Sequence, residues 1–224
     1  MKTLQFIVKS FGGICFLFLI LFVSAGRIDY WQAWLFLILH ILMTVFGFSL
    51  MRNNIELINE RFNPSTGTKW WDFIFMIVAL VNYILILIIA GIDVGRFHLS
   101  PRFHYSIYIV GIFLIILGQS IFHFAKKQNH FFSSVVRIQA DRGHKVCDVG
   151  LYKKVRHPGY LGAIISTMGF PLVLGSVWCI IPSICYIILF LIRTYFEDLT
   201  LIDELSGYHE YSSIVRYRIF RGVW

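Results

Sequence analysis

Long apolar runs separated by short polar segments are the main pattern of this chain. Crossing a bilayer takes about 20 predominantly apolar residues in a helix. Such runs lie at Trp31–Met51, Trp71–Gly91 and Tyr105–Ala125, and a shorter one at Phe11–Ala25 is extendable in both directions. The first run resembles a signal peptide, but further spans follow almost at once, so we interpret it as a retained helix. The pattern therefore predicts four transmembrane helices.

Two more apolar runs follow the longest polar stretch, Lys126–Pro158. They are Tyr160–Leu174 and Val177–Ile192, and Gly175 and Ser176 separate them. Each run is somewhat short for a full span. We expect a helical hairpin that enters the membrane and returns to the same side, or two tilted spans. Together with the first four helices, this gives an all-α, polytopic protein with five to six membrane segments.

The connector Arg52–Lys69 carries a different pattern. Its apolar residues recur at helical spacing among charged ones, and Asn63-Pro64 ends the pattern. This predicts a short amphipathic helix on the membrane surface, or a plain connector helix. We prefer the connector helix to any catalytic role.

The overall composition agrees with a membrane protein. Hydrophobic residues make up 58% of the 224 residues and charged residues 14%, against about 45–50% and about 25% in soluble proteins. A chain of this length is expected to form one domain, so we treat residues 1–224 as a single integral membrane domain. The four cysteines show no paired spacing, which argues against a disulfide framework or a zinc site. We expect no bound metal.

The formal charge of +8 comes from cations that lie between the apolar runs. We therefore expect no nucleic-acid binding, and we read the cations as signals of membrane orientation. With a cytoplasmic N-terminus and a returning hairpin, 17 of the 20 Lys and Arg residues fall on the cytoplasmic side. Those outside are Arg27, Arg96 and Arg102. The positive-inside rule thus predicts that both large polar segments, and any active site that they form, are cytoplasmic.

The segment Val149–Tyr160 has a residue choice that hydrophobicity does not explain. Pro158 disfavours helical geometry in the preceding His157 and suits the first turn of a helix. Gly159 leaves room for a ligand to approach the backbone, and the start of the following helix favours an anionic group. A basic juxtamembrane anchor followed by an ordinary helix start explains the composition equally well.

Two further polar clusters lie near the C-terminus. Arg193 and Glu197 are four residues apart and share one face of a helix. They form either a surface ion pair, which stabilises little, or a site in which Arg193 binds a carboxylate and Glu197 takes a cation or hydroxyl groups. Composition alone favours the ion pair. The Tyr- and Arg-rich segment Gly207–Arg218 forms either a lid over a site or an interfacial anchor, and we favour the anchor.

Together these residues form an ordered pattern over the C-terminal half. It consists of Gln139, His144, Gly150-Leu-Tyr152, Arg156-His-Pro-Gly-Tyr160, Arg193-x-x-x-Glu197 and Gly207-Tyr-x-Glu-Tyr211. In this order and spacing the pattern resembles the isoprenylcysteine carboxyl methyltransferase family, which is similar to phospholipid methyltransferases. Residues 1–125 match that family only in general character. The resemblance implies a transmembrane scaffold in residues 1–125 and a catalytic, cofactor-binding half in residues 126–224.

The resemblance also implies S-adenosyl-L-methionine (S-adenosylmethionine) as methyl donor, bound in a cytosolic pocket. The acceptor is expected to be lipid-modified or lipophilic and to enter from the membrane lipid, with a prenylated cysteine or an analogue preferred. Arg193 and Glu197 are the implied catalytic residues, and Arg193 is assigned to the substrate carboxylate. The implied cofactor contacts are Gln139, His144, Lys145, Val146, Cys147, Tyr152, His157, Pro158, Gly159, Tyr160 and Glu197.

The sequence departs from the family pattern at two places, and three other functions stay open. The spacing from Gln139 to His144 is short, and so is the acidic run Glu197-Asp198. A phospholipid N-methyltransferase uses the same cofactor, although Arg193 is a poor contact for an amine nucleophile. A nicotinamide-dependent membrane reductase of the sterol type also forms a cytosolic cofactor pocket from C-terminal helices. A transporter or scaffold would use the basic loop only to set its topology.

Overall fold

The computed structural model of the chain describes residues 2–52, 54, 56, 57, 60 and 67–224, with the backbone alone for residues 2–11. Within these ranges the regular elements are helices, without a β-strand. The α-helices are α1 (Lys2–Ala25), α2 (Trp31–Met51), α3 (Trp70–Ala90), α4 (Tyr105–Gln128), α5 (Pro158–Leu174), α6 (Ile180–Glu204) and α7 (Tyr208–Ile214). A π-helical turn, Gly91–Phe97, extends α3, and short 3-10 turns lie at Ala140–Arg142 and Gly150–Lys153. The predicted all-α fold is confirmed.

Four helical segments of the described chain are long and apolar enough to cross a membrane. They are Trp31–Met51, Trp70–Phe97, Tyr105–Gln128 and Ile180–Glu204. The shorter apolar helices are Gly12–Ala25, within α1, and α5. Large apolar side chains on the outer surfaces, such as Phe73, Leu80 and Phe113, are more than half exposed. Extensive exposed apolar surface is typical of membrane contact, so the chain is an integral membrane protein, as predicted.

Helix α6 is longer than its apolar run. The run ends at Ile192 and the helix continues to Glu204, so Arg193 and Glu197 lie on one helix, as their spacing predicted. Its 25 residues span about 37 Å at 1.5 Å per residue, which exceeds the roughly 30 Å of a bilayer's hydrocarbon core. The apolar run ends at the first charged residue, whereas the helical hydrogen bonds of the backbone continue beyond it. Arg193, Glu197 and Asp198 therefore lie on a rigid helix, beyond its apolar part.

Helices α4 and α5 pack with their backbones in contact. A Cβ built on Gly118 would lie 2.5 Å from the carbonyl oxygen of Gly162, and one on Gly169 would lie 2.6 Å from that of Gly111. Small residues permit such close approach between membrane helices. The paired glycines run in opposite order along the two helices, so α4 and α5 are antiparallel. The N-terminus of α5 consequently lies beside the C-terminus of α4.

The loops gather at two ends of the helical bundle. At one end, here called the Asp93 end, the carboxylate of Asp93 accepts hydrogen bonds from Ser100 Oγ at 2.6 Å and from the Ser176 hydroxyl. The Ser176 bond joins the π-helical extension of α3 to the connection between α5 and α6, and the Ser100 bond joins it to the segment before α4. The opposite end contains the polar segment 129–157 and the C-terminal residues, and we call it the cavity end.

The predicted connector helix, Arg52–Lys69, falls mostly outside the described residues. Those that are described include Leu57 and Glu60, and both are buried. This part of the connector therefore packs against the rest of the protein.

Candidate active site

A cavity of about 240 Å³ lies at the cavity end, between the segment 129–157, the start of α5, the last turns of α6 and helix α7. Each water molecule takes about 30 Å³ in the liquid, so the cavity is of small-molecule size. The sequence-predicted residues that line it are Gln139, His144, Lys145, Val146, Cys147, Tyr152, His157, Gly159, Tyr160, Arg193 and Glu197. Pro158, which completes the predicted set, is buried as the first residue of α5.

Gln139 holds the loop between α4 and α5 in shape. Its side-chain amide donates to the carbonyl oxygen of Phe131 at 2.6 Å and accepts a hydrogen bond from Arg142. Its backbone N–H donates to His144 Nδ1 at 3.2 Å. Because the buried amide is bonded within the loop through both its nitrogen and its oxygen, Gln139 shapes the cavity wall through protein contacts. A direct contact with a cofactor stays a prediction.

His144 offers a neutral donor at the cavity. Burial, followed by the nearby guanidinium groups of Arg137 and Arg142, lowers the pKa of His144 to about 4, so the ring is uncharged near pH 7. Since Nδ1 accepts the N–H of Gln139, the ring proton lies on Nε2. The side chain lines the cavity and supplies an N–H group there.

Arg137 fastens the same loop to the connector. Its Nε and Nη2 donate to the two carboxylate oxygens of Glu60, both at 2.9 Å, and its Nη1 donates to Asp141 at 2.8 Å. The hydrogen bond to Glu60, followed by that to Asp141, outweighs burial and raises the pKa of Arg137. The connector thus supports the cavity wall from behind, in agreement with a structural role.

The start of α5 shows why Gly159 lacks a side chain. Pro158 opens the helix and His157 before it has a non-helical backbone, with φ −124° and ψ 61°, as proline predicts. A Cβ on Gly159 would lie 2.7 Å from the ring of Phe132, which packs at right angles to Phe122 with centroids 5.5 Å apart. Phe132 thus fills the space next to the missing Cβ of Gly159, while Gly159 itself lines the cavity. An approach of a ligand to this backbone stays a prediction.

Asp198 accepts more hydrogen bonds than a single ion pair requires. Its fully buried carboxylate accepts two bonds of 2.8 Å from Arg156, one of 2.8 Å from Arg218 and one of 2.9 Å from the Tyr208 hydroxyl. Nε2 of His157 lies 3.1 Å from Asp198 Oδ1. A buried charge is stable only with such partners. We call these five residues the Asp198 cluster.

The Asp198 cluster holds the C-terminal segment over the cavity. Arg156 Nη1 also donates to the carbonyl oxygens of Val215 and Arg216, both at 2.9 Å. Tyr208 and Tyr211 are buried and line the cavity. Two buried tyrosines are not interfacial anchors, so the structure favours the lid over the anchor that we expected.

Glu197 keeps part of its carboxylate open, unlike its neighbour Asp198. Its side chain is 23% exposed, and its Oε1 lies 4.0 Å from His157 Nδ1. Its Oε2 accepts a hydrogen bond from the Tyr160 hydroxyl, and the Tyr160 ring stacks on His157 with centroids 5.8 Å apart. Glu197 therefore presents an acceptor oxygen and a negative charge to the cavity.

Arg193 pairs across the bundle with Asp72, in the first turn of α3. Its Nε lies 2.9 Å from Asp72 Oδ1, and its Nη2 donates to Asp72 Oδ2 at 3.1 Å and to the Ser134 carbonyl oxygen at 2.9 Å. The guanidinium carbon is 4.9 Å from the ring centroid of Phe75 and 5.5 Å from that of Tyr160. Within the described part of the chain, Nη1 has no hydrogen-bond partner, and the side chain lines the cavity. Nη1 is thus the group available to a ligand.

The main partners of the two predicted catalytic residues were not anticipated. Composition favours an ion pair between Arg193 and Glu197, but Arg193 pairs with Asp72 and Glu197 bonds Tyr160. Ionisable residues within membrane spans are rare and usually mark a function or a partner. Asp72 lies within the predicted run Trp71–Gly91 and therefore carried a usable signal. The bonds of Asp198 to distant arginines depend on the folded chain, and no local spacing reveals them.

Comparison with known proteins supports the resemblance. Residues 109–203 match the model of the isoprenylcysteine carboxyl methyltransferase family. The protein-S-isoprenylcysteine O-methyltransferase of Saccharomyces cerevisiae is 30% identical over 97 residues, which are 43% of this chain and 38% of the yeast protein. Probable protein-S-isoprenylcysteine O-methyltransferases of Oryza sativa subsp. indica and subsp. japonica are each 36% identical over 61 residues, 27% of this chain and 32% of theirs.

The chain therefore spans about a third of the length of these curated relatives. The matched residues include every position from Gln139 to Glu197 that the sequence pattern assigned to the site. The predicted resemblance is confirmed over this part of the chain.

Proposed function

Taking residues 109–203 as a member of the isoprenylcysteine carboxyl methyltransferase family, we propose that the protein methylates a lipophilic carboxylate with S-adenosylmethionine. A prenylated cysteine or an analogue is the preferred acceptor. The observation that carries the proposal is the cavity that Arg193 and Glu197 line from one helix. One side chain offers a donor for a carboxylate, and the other offers a negative charge for a cation.

The residues at the cavity fit S-adenosylmethionine, which has a sulfonium cation and polar groups at both ends. The open oxygen of Glu197 supplies a negative charge, and the neutral ring of His144 supplies an N–H donor. Aromatic faces attract cations, and the rings of Tyr152 and Tyr160 line the same space. When bound, the cofactor supplies an electrophilic methyl group. The other implied contacts that line the cavity are Gln139, Lys145, Val146, Cys147, His157 and Gly159, and Pro158 lies buried between the last two.

The chain's own task in this reaction is to orient the acceptor. A carboxylate is already ionised near neutral pH, so no general base is required for its attack on a methyl group. Positioning alone can provide much of the rate enhancement. Arg193 Nη1 holds one acceptor oxygen through a charge-assisted hydrogen bond, and the second oxygen stays free to react. The buried tyrosines of α7 limit access of water.

A lipid-tailed acceptor accounts for a membrane scaffold around this cavity. The apolar part of α6 ends at Ile192 and Arg193 follows directly. A carboxylate on Arg193 therefore lies where its tail can stay in the apolar layer. An amine nucleophile gains nothing from a guanidinium, which disfavours the phospholipid N-methyltransferase alternative.

We assign the cavity end to the cytoplasmic face. Arg27 and Arg96 lie at the Asp93 end, where Arg27 Nη1 is 3.3 Å from His98 Nε2 and Arg96 Nη2 donates to the Val23 carbonyl oxygen at 3.1 Å. Arg102 lies three residues before the first residue of α4, at the same end. The many cations of the segment 129–157 and of the C-terminus lie at the other end. The positive-inside rule favours that end as cytoplasmic.

Calorimetry in detergent tests the cofactor. We expect S-adenosylmethionine or its demethylated product to bind and NADPH not to bind. Binding of NADPH alone would support the reductase alternative and contradict the proposal.

Radiolabelled methyl transfer tests the acceptor, with prenylcysteine, phospholipid and fatty-acid acceptors compared side by side. We expect transfer to the prenylcysteine. Transfer confined to the phospholipid amine would replace the proposed acceptor with that of the N-methyltransferase.

A further inference from the structure

Asp72 is a buried charge at the cavity end to which the proposed reaction assigns no role. It is fully buried in the first turn of α3, where the helix N-terminus favours a negative charge. Besides its two contacts with Arg193, its Oδ2 accepts the backbone N–H of Val136 at 2.7 Å. The carboxylate is therefore held on two sides, and its charge stays beside Arg193.

These contacts decide how Arg193 meets a ligand. A guanidinium binds a carboxylate most strongly through two parallel N–H groups on different nitrogens. Asp72 Oδ2 and the carbonyl oxygen of Ser134 each accept a hydrogen bond from Nη2, which uses both of its hydrogens. Asp72 Oδ1 lies 2.9 Å from Nε, where it covers that nitrogen without forming a hydrogen bond. Each two-nitrogen arrangement needs a hydrogen of Nη2. Both two-nitrogen arrangements are consequently blocked. A carboxylate in the cavity meets Nη1 alone.

We propose that Asp72 is a positioning residue that presents only Nη1 of Arg193 to the acceptor and offsets part of the guanidinium charge. The inference rests on the proposed function. The acceptor carboxylate loses its charge as the methyl ester forms, so an interaction that is stronger with the anion than with the transition state slows the transfer. Because of Asp72, Arg193 binds the acceptor carboxylate through one hydrogen bond, and the second oxygen of the acceptor stays reactive.

The variant Asp72→Asn removes the charge and keeps the shape. The probes are a small S-prenylcysteine with a free carboxylate and the matching carboxamide, which is neutral. We expect the acid to bind roughly tenfold more tightly, because the like charge next to Arg193 is gone. We also expect kcat to fall by roughly tenfold, since the added affinity favours the ground state. A joint fall of KM and kcat separates positioning from a loss of structure, which raises KM.

The matched control is Asp93→Asn at the opposite end of the bundle, where another carboxylate is 2% exposed. It should keep the wild-type preference for the acid over the carboxamide. Binding of S-adenosylmethionine by Asp72→Asn reports that its cavity is intact.

A substitution of Arg193, the partner of Asp72, tests the same inference. Lysine has one nitrogen in place of the guanidinium fork, so in Arg193→Lys the ammonium stays with Asp72 and acid binding weakens by at least about tenfold. Adding Asp72→Asn releases that ammonium, and the double variant should regain affinity for the acid. Wild-type acid binding in Arg193→Lys, or no rescue in the double variant, contradicts the inference.

Two further outcomes show whether the proposed function fails or only the proposed role of Asp72. A wild-type protein that binds the carboxamide as tightly as the acid contradicts the proposed function and the inference together. A wild-type preference for the acid that Asp72→Asn leaves unchanged, with an unchanged kcat, overturns the role of Asp72 alone.

Discussion

Each end of the helical bundle is joined by a buried carboxylate, but the two carboxylates have different partners. Asp93 accepts the backbone N–H of Ser100 at 2.8 Å, the Ser100 hydroxyl and the Ser176 hydroxyl, all neutral donors. Asp198 accepts hydrogen bonds from the guanidinium groups of Arg156 and Arg218, among others. Both carboxylates join separate segments of the chain, but within the described residues only Asp198 of the two forms ion pairs with arginines.

The difference between their partners distinguishes a carboxylate with a structural role from one that lies next to a functional site. Neutral donors satisfy a buried carboxylate and connect helices. Several charges buried together carry a large desolvation penalty, and such clusters concentrate at functional sites. At the cavity end the Asp198 cluster adjoins a cavity that also contains Arg193 and the half-open Glu197. We therefore expect substitutions at this end to change ligand binding, and those at the Asp93 end to change stability alone.

The largest effect is expected from Asp198→Asn. Removing one partner of a buried ion pair costs about 3–5 kcal/mol, and here two arginines lose their counter-charge. The melting temperature in detergent should fall by about 10 °C, and limited proteolysis should cut the released segment after α6. Asp203→Asn, on an exposed face of the same helix, should behave as wild type. An Asp198→Asn protein with wild-type melting would show that the cluster does not hold the lid.

Glu197→Gln should weaken the binding of S-adenosylmethionine and leave the fold intact. The amide oxygen still accepts a bond from Tyr160, but the negative charge that faces the cavity is lost. A hydrogen bond to a charged group contributes about 1.5–3 kcal/mol, so the Kd for S-adenosylmethionine in calorimetry should rise by about tenfold or more. The melting temperature without ligand should stay near the wild-type value. Unchanged cofactor affinity would remove Glu197 from the cofactor site.

Asp93→Asn is expected to affect stability at the opposite end of the bundle. An asparagine places an N–H₂ group against serine hydroxyls and loses part of the hydrogen bonding, at a cost of about 1–3 kcal/mol. A lower melting temperature with wild-type cofactor affinity is the expected result. A loss of cofactor affinity in this variant would mean that the two ends are not separable.

The smallest effect is the pH dependence that His144 contributes. Its pKa is lowered to about 4 in the folded protein from about 6.5 in the unfolded chain, so the unfolded state binds more protons between these values. Its contribution to stability is present above pH 6.5 and is lost as the pH falls towards 4. His144→Asn keeps an acceptor for the Gln139 N–H and should show a shallower fall of melting temperature over that range. Identical slopes would mean that His144 does not titrate in this way.

Hydropathy predicted most of the fold, because membrane helices are selected by length and apolar content. The run Trp31–Met51 coincides with α2, and the predicted run Tyr105–Ala125 begins with α4. The apolar run alone did not predict that α6 extends to Glu204, although the spacing of Arg193 and Glu197 indicated a helix beyond Ile192. The backbone contacts of Gly111 and Gly118 with α5 involve residues that look ordinary in an apolar run.

The candidate site was predictable as a set of residues and much less as a set of contacts. Motif order assigned Arg193, Glu197 and the His157 segment to one pocket, and the structure places them around one cavity. The pairing of Arg193 with Asp72 joins residues 121 positions apart, which no spacing rule reaches. The close contact of Gly159 with Phe132 was likewise not predicted, because it depends on where that ring packs.

Methyl transfer by Arg193→Ala tests whether Arg193 binds the acceptor carboxylate. Transfer of a radiolabelled methyl group from S-adenosylmethionine to a small prenylcysteine should fall by at least about a hundredfold, since the charge-assisted contact to the carboxylate is lost. Cofactor affinity, measured by calorimetry on the same preparation, should stay near the wild-type value. Transfer at the wild-type rate, with the cofactor still bound, would contradict the assignment of Arg193 to the acceptor carboxylate.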